Sequence, residues 1–206
     1  MNNIRKPRFT CTRCGNCCTD RNTLVNVTYL DILRIIKGLK LNLKESLEIF
    51  GFYVYEKKLT PITLKKMVIS PIETENGLAF IGLMKNSQGE CLFHDKTNLK
   101  CRIYTLRPMF CRSFPFCFGH FNNEDTISKE QIEIFYTEKA KEYCPGIGDD
   151  APLINLEYWI NLAQKVLKEL KENNIYNENW NNSIKNGPRI PSAKNFIEEI
   201  IKIEED

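Results

Sequence analysis

The cysteines constrain this chain more than any other feature. Of the 206 residues nine are cysteine, and four of these fall in one short stretch with the spacing C-x2-C-x2-C-C. Glycine, asparagine and threonine separate these thiols, which is typical of a loop that wraps around a bound group. The rest of the chain must either bring its other thiols to this loop or bury them as small apolar side chains. The nine cysteines are Cys11, Cys14, Cys17, Cys18, Cys91, Cys101, Cys111, Cys117 and Cys144.

The sequence outside the cysteines indicates the cellular compartment. No apolar region follows the basic start of the sequence, and no stretch approaches the 18 apolar residues of a membrane span. We therefore expect a cytoplasmic protein with no membrane insertion. Thiols stay reduced in that compartment, so the cysteines predict metal or redox chemistry in preference to disulfides. The net charge of +3 is too small to indicate binding to nucleic acid.

The number of thiols suits two metal sites. Eight thiols make two four-thiolate centres, and the ninth is spare. The triple formed by Cys11, Cys14 and Cys17 resembles the ferredoxin run, in which a distant cysteine completes an iron–sulfur cluster. A zinc knuckle more often takes two thiols from each of two places. Because neighbouring side chains diverge in extended backbone, we predict that Cys17 and Cys18 serve different centres, or that one binds while the other lines the site.

Cationic and aromatic side chains near the cysteines are candidates for contacts with the bound group. Four-thiolate sites carry negative charge, which must be compensated when it is buried. Tyr104 lies between Cys101 and Cys111 and is predicted to line a pocket beside the bound group, while His94 is the better alternative ligand of the two histidines. The arginines that balance thiolate charge, unless they are plain surface residues, are Arg13, Arg102, Arg107 and Arg112.

Helical periodicity is clearest in two parts of the chain. The segment Thr28 to Asp31 resembles a capping box. It precedes an apolar stripe, and a second helix is predicted over 42–50. The residues of the stripe are Leu30, Leu33, Ile36 and Leu39. After Pro152 cysteine disappears and a long apolar stripe begins at Leu156. A short asparagine-rich segment follows this predicted helix, and a last helix is predicted from Ser192.

The middle of the chain is predicted to be more irregular. Residues 67–69 and 78–84 are the best strand candidates, with Asn76 and Gly77 as a hairpin turn between them. A capping-box-like start at Ser128 predicts a helix over 128–143. Together these elements predict an α+β fold: a small, irregular, metal-stabilised core with short strands in residues 1–150, and a helical C-terminal extension, 151–206, packed on it.

The cysteines and their neighbours resemble a known family. The CxxCxxCC run at Cys11 to Cys18 continues as C-x-F at Cys91, as C-x-I-Y at Cys101, as R-P-x-x-C-R-x-F-P from Arg107 to Pro115, and as C-P-G at Cys144. This is similar to the YkgJ-like cysteine-cluster proteins, described as zinc- or iron-chelating, over about residues 9–148. The resemblance implies metal chelation and leaves Cys117 outside the pattern. The predicted ligands are Cys11, Cys14, Cys17, Cys18, Cys91, Cys101, Cys111 and Cys144; Arg13, Tyr104, Arg107 and Arg112 are predicted beside the bound group.

Three functions follow from this pattern. The first is an iron–sulfur protein, with one [4Fe–4S] cluster or two, which transfers electrons or senses redox state with a redox or protein partner. The second is a zinc-stabilised binding or scaffold module, in which the metal supplies folding free energy. The third is an enzyme, since some relatives in the family are described as flagellin lysine N-methylases. The chain has no G-x-G-x-x-G fingerprint and no P-loop, so whether it is an enzyme is left open.

Overall fold

The fold combines helices with short antiparallel strands. A computed structural model describes residues 7–55, 60, 67–120 and 129–203. Within these residues the helices are α1 (Asn16–Thr19), α2 (Tyr29–Leu39), α3 (Leu43–Ile49), α4 (Met109–Ser113), α5 (Glu138–Tyr143), α6 (Leu156–Asn186) and α7 (Ala193–Ile201). The strands are β1 (Phe50–Val54), β2 (Ile72–Thr74), β3 (Gly77–Leu83), β4 (His94–Asp95), β5 (Lys100–Cys101), β6 (Phe116–His120) and β7 (Ile132–Tyr136). The predicted α+β class is confirmed.

Helix α2 begins where the sequence predicts. The Thr28 hydroxyl accepts a hydrogen bond from the Asp31 backbone N–H, and the Asp31 carboxylate accepts one from the Thr28 N–H. Leu33 and Ile36 of the predicted stripe are buried, whereas Leu39 is 38% exposed. Ile32 and Ile35, outside the stripe, are completely buried as well. Helices α6 and α7 both pack on α2.

Strands β1, β3 and β2 form an antiparallel sheet in that order. A hairpin is present, but its turn lies one residue before the predicted Asn76 and Gly77. Strands β2 and β3 pair around Glu75 and Asn76, and Gly77 begins β3 with φ +104°. The prediction of a strand over 67–69 is wrong, since the strand begins at Ile72. The backbone groups of Val68 and Ser70 instead form hydrogen bonds with asparagine side chains of α6.

The asparagine-rich segment belongs to α6, which does not end before it. Its amides bond to the backbone of residues 68–73, which runs alongside the helix. Asn181 accepts from the Glu73 N–H at 2.8 Å and donates to the Pro71 carbonyl at 2.9 Å. Asn174 makes the same pair of bonds, to the Ser70 N–H and the Val68 carbonyl, whereas Asn177 donates to the Ser70 carbonyl and its Oδ1 has no partner among the described residues. We call Asn174, Asn177 and Asn181 the asparagine ladder.

The prediction of one helix over 128–143 is wrong for most of its length. Its start, Ser128, lies outside the described residues. Strand β7 occupies 132–136 and pairs with β6, with Phe116 opposite Tyr136, and α5 begins only at Glu138. Alternation of Ile132, Ile134 and Tyr136 is the strand signal.

Two buried clusters lie along α6. The first joins α2, the three-stranded sheet, α7 and Trp180, and the second joins Met109, Phe116 and Trp159. The predicted helices α3 and α7 are confirmed, capped by Asn42 and Ser192. Helix α6 contributes to both clusters, and the division of the chain at residue 150 stays a prediction. In the described part of the chain, none of the helices combines the length and apolarity that a membrane crossing requires.

Candidate metal centre

The four N-terminal thiols sit on a loop that is tied to the segment after Cys144. The Thr10 N–H donates to the Gly146 carbonyl at 3.0 Å, and the Asn16 amide donates to the Tyr143 carbonyl at 2.9 Å. Between Cys14 and Cys17, Gly15 takes φ +80° and begins the single helical turn α1. A β-carbon at Gly15 would come within 2.8 Å of the His94 ring, so glycine is required here for space as well as for conformation.

Cys17 and Cys18 do not diverge as predicted. Their Sγ atoms lie 4.0 Å apart, because the two residues are in the helical turn α1 and not in extended backbone. The hydrogen bond with Cys18 lowers the pKa of Cys17 to about 7, and the same bond raises the pKa of Cys18. The pair therefore favours one thiolate and one thiol, with the negative charge on Cys17.

The next three predicted ligands come from a separate part of the fold. The Cys91 N–H donates to the Cys18 carbonyl at 2.8 Å, which holds this segment against α1. The short β4–β5 pair sets His94 opposite Cys101. Cys111 lies on α4, where the first N–H, that of Met109, donates to the buried Asp31 carboxylate at 2.9 Å. Pro108 precedes this helix and ends the segment before it.

The thiols surround a cavity of about 600 Å³. Cys14 and Cys144 are not among the side chains that line it. None of the nine cysteines forms a disulfide. In the described ranges, no three histidine, cysteine or acidic side chains stand close enough to hold one metal ion. The cysteines that line the cavity are Cys11, Cys17, Cys18, Cys91, Cys101, Cys111 and Cys117.

Burial and mutual repulsion raise the pKa of most of these thiols. Burial is the main cause that raises the pKa of Cys111 well above its usual value, and the charges of Cys91 and Cys17 add to it. Burial also raises the pKa of Cys144, with contributions from Cys14 and Cys17. Thiols that raise one another's pKa in this way become thiolates together only when a cation offsets their charge, as a bound metal does. The chemistry of the donor set therefore fits zinc or an iron–sulfur cluster.

Arg13, Tyr104 and Arg107 meet at the cavity. The Arg107 guanidinium lies 3.8 Å from the centre of the Tyr104 ring, and that of Arg13 lies 5.6 Å from it. All three line the cavity. The positive charge of Arg107 helps to lower the pKa of Cys17 and opposes the rise in the pKa of Cys101. The structure thus brings three of the four predicted side chains together.

The other predicted arginines have different contacts. Arg112 lies 3.3 Å from Glu169 and 3.9 Å from Asp31, on carboxylates of α6 and α2. Arg102 donates to the Leu92 carbonyl. Each of these contacts holds a cysteine-bearing segment to its surroundings. Arg112 is not among the side chains that line the cavity.

Asp31 has a structural role near the site that the sequence does not reveal, whereas His94 is the alternative ligand that the sequence named. Asp31 is completely buried, and its contacts reach the Thr28 backbone, the Arg34 side chain and the α4 backbone. Its capping-box position signals a helix cap but not the bond to α4. His94 lines the cavity, and both ring nitrogens are buried with no hydrogen-bond partner among the described residues. Its position near Cys91 in the sequence was the available signal.

Cys117 differs from the other thiols. It lies on β6 within an aromatic stretch, is exposed to the cavity, and its Sγ is 3.7 Å from the Phe135 carbonyl. Burial raises the pKa of Cys117, and no other cysteine contributes to that rise. Cys117 is therefore set apart from the thiols that influence one another.

The fold and the site define a small α+β protein whose cysteines are suited to bind a metal. The chain belongs to the family described as "CxxCxxCC: Putative zinc- or iron-chelating domain", whose model matches residues 10–145 and confirms the predicted family. The chain is 29% identical to an uncharacterised protein of Methanocaldococcus jannaschii over 162 residues, which is 79% of this chain and 70% of that protein. No solved structure matches the chain.

Proposed function

We propose that the protein carries cysteine-ligated iron–sulfur clusters, of the [4Fe–4S] type and as many as two, for electron transfer or redox sensing. The arrangement of the thiols carries this proposal. Six of the eight predicted ligand thiols line one cavity, and no three described donors meet at one ion-sized point. A single zinc ion draws its sulfurs to about 2.3 Å from its centre. Thiolates of a cluster bind different iron atoms around a larger body, and the wide arrangement supports such a group.

Contacts within the chain suggest how the ligands divide. The backbone bond between residues 10 and 146, and the bond from the Asn16 side chain to the Tyr143 carbonyl, keep Cys144 beside the N-terminal loop. The bond between residues 91 and 18, and the β4–β5 pair, keep Cys91 and Cys101 beside its end. We infer one centre that uses Cys144 and one that uses Cys91, Cys101 and Cys111, with the N-terminal loop supplying both.

The chain's own residues would hold and tune the bound group. An iron–sulfur cluster supplies one-electron chemistry over a wide range of potentials, set by charge, hydrogen bonds and solvent exposure. Arg107 offers a positive charge to Cys17 and Cys101, and Asp31 fixes the helix that carries Cys111. The electron donor or acceptor would be a separate redox protein or small molecule, and the compartment would be the cytoplasm.

Metal analysis tests this function directly. Protein purified without oxygen is expected to contain about four to eight irons and as much acid-labile sulfide, with a visible band that dithionite bleaches. Cys111→Ser is expected to lose at least half of the iron. Cys117→Ser is the matched control and is expected to keep all of it. One or two zincs without sulfide would instead favour a zinc-stabilised scaffold.

A further inference from the structure

The His94 ring is buried without a polar partner. Both of its nitrogens are shielded from solvent, and neither has a hydrogen-bond partner among the described residues. In the same part of the chain, the asparagine, glutamine and arginine side chains with unpartnered buried atoms have one such atom each. A neutral imidazole offers one N–H donor and one lone pair, and a buried polar group without a partner is costly. His94 therefore indicates a partner that the protein chain does not supply.

The position of the ring is fixed from two parts of the site. A β-carbon on Gly15, in the N-terminal loop, would come within 2.8 Å of His94 Nε2. The His94 N–H donates to the Cys91 carbonyl at 3.0 Å, and strand pairing sets His94 directly opposite Cys101. Residues directly opposite in antiparallel strands project from the same face, with their β-carbons about 5 Å apart. The ring therefore lies close to Cys101 and to the N-terminal loop, and it lines the cavity with the thiols.

Repulsion among the thiols favours a ligand without charge. The charges of Cys91, Cys17 and Cys101 each add to the rise in the pKa of Cys111, so every further thiolate makes the others harder to form. An imidazole nitrogen binds a metal as a neutral donor and adds no negative charge. Histidine accompanies cysteine in zinc sites and replaces cysteine on iron in some iron–sulfur clusters. The chemistry of His94 therefore fits the group that the thiols hold.

We propose that His94 is a ligand of the metal group: one ring nitrogen binds one metal atom of the centre that uses Cys91 and Cys101, which makes it a mixed nitrogen and sulfur centre. The proposal rests on the proposed iron–sulfur function, under which this atom is an iron of the cluster. Ligands of a cluster bind different iron atoms, so His94 and the thiols need not meet at one ion-sized point, and among the described residues they do not. The reduction potential should lie above that of the same centre with four thiolates, because histidine in place of cysteine raises it.

Isotope labelling tests the ligand role in the unaltered protein. The chain has only two histidines, His94 and His120, so labelled histidine introduces a selective probe. The full chain is purified anaerobically with its metal, once with ordinary and once with ¹⁵N-labelled histidine, and the cluster is reduced. Pulsed electron paramagnetic resonance should show the strong hyperfine coupling of an iron-bound nitrogen, and the label should change its pattern. If the coupling is absent, or as weak as that of a nitrogen that only donates a hydrogen bond to sulfur, the proposal is overturned.

Two variants assign the nitrogen and add a second readout. In His120→Gln the only histidine is His94, so the strong coupling and the native reduction potential should both remain. Loss of the coupling in this variant at full iron content would assign the nitrogen to His120 and overturn the proposal. His94→Cys replaces a neutral ligand by a thiolate, so the coupling should disappear and the potential should fall. A native potential in an iron-loaded His94→Cys variant would contradict the ligand role.

Metal analysis of the same samples separates this proposal from the proposed function. Iron and sulfide without a strong histidine coupling would contradict the ligand role alone. Zinc without iron or sulfide would contradict the iron–sulfur function, and X-ray absorption at the zinc edge would then decide the role of His94. An imidazole nitrogen at about 2.0–2.1 Å beside sulfur at about 2.3 Å, retained in His120→Gln, would support ligation. A zinc shell of sulfur alone would overturn it.

Discussion

The asparagine ladder and the cysteine cavity satisfy their polar groups in opposite ways. In the ladder, the amides of Asn174 and Asn181 each bond to the backbone of residues 68–73 at both their oxygen and their nitrogen. In the cavity, seven thiols and the ring nitrogens of His94 face a space with few partners from the described chain.

The ladder asparagines find most of their hydrogen-bond partners within the chain, whereas the polar groups of the cavity need a bound group as their partner. Buried polar groups without partners cost free energy. In the described part of the chain, the ladder side has two such atoms, Asn173 Nδ2 and Asn177 Oδ1, among many satisfied ones, and we expect it to be stable by itself. The cysteine side needs a metal to offset thiolate charge, and its stability should follow metal occupancy.

Metal removal gives the largest expected contrast. Thiolate metal sites can contribute about 10 kcal/mol to folding. Hydrogen exchange in residues 9–18 and 91–111 should therefore accelerate about a hundredfold or more after chelation, while β3 and α7 change little. Reloaded protein serves as the control. Equal acceleration of hydrogen exchange in both regions would show that both depend on the metal for stability.

Truncation of a buried core side chain should destabilise the ladder side of the molecule. Trp180 is 2% exposed and packs edge-on against Phe196 at 5.0 Å. Trp180→Ala should lower the free energy of unfolding by about 3–5 kcal/mol. Denaturant titration measures this loss, and metal analysis of the folded protein should give the native stoichiometry. If Trp180→Ala lost metal while its free energy of unfolding stayed native, the comparison between the two regions would be contradicted.

Asp31 links the two regions, so its substitution should affect both. Asp31→Asn removes a buried charge from Arg34 and weakens the bond to the α4 backbone. We expect a loss of about 3 kcal/mol in stability and weaker retention of metal under competition with a chelator. Glu199→Gln, on α7, removes the carboxylate that pairs with Arg189 and is the control for the loss of an ion pair. If both variants retain metal equally, Asp31 does not position Cys111.

The ladder itself should give the smallest effect. Asn181→Ala leaves the Glu73 N–H and the Pro71 carbonyl without their amide partner and should cost about 1–2 kcal/mol. Asn179→Ala, exposed on the same helix, is the control and should cost nothing. Metal content should be native in both variants. A fall in metal content for Asn181→Ala would mean that the ladder supports the site directly.

The sequence predicted elements whose signals are local. The capping box of Thr28 and the cap at Ser192 lie beside the helices that they begin, and both were found by spacing alone. The family was likewise predicted from cysteine spacing. The elements that were missed depend on distant partners. Residues 67–69 resemble a strand, yet their neighbours bond to side chains more than 100 positions away.

The sequence predicted which residue types form the site better than it predicted where their side chains lie. Spacing could not show that Cys17 and Cys18 lie on one helical turn, because extended and helical backbone are equally compatible with two adjacent thiols. The motif around Arg112 indicated a cationic role, but the carboxylates that it contacts belong to α2 and α6. Asp31 looked like a helix cap only, since its bond to Met109 spans 78 residues.

The hydrogen bond from Phe9 to the Pro152 carbonyl has a consequence for biosynthesis. A ribosome releases the first four thiols long before the segment that fixes their loop, and the cavity wall at Leu170 follows later still. During that interval the nascent chain carries reactive, unshielded sulfur. Loading of the metal is therefore expected to wait until the C-terminal helices have left the exit tunnel, and to be a late step of maturation.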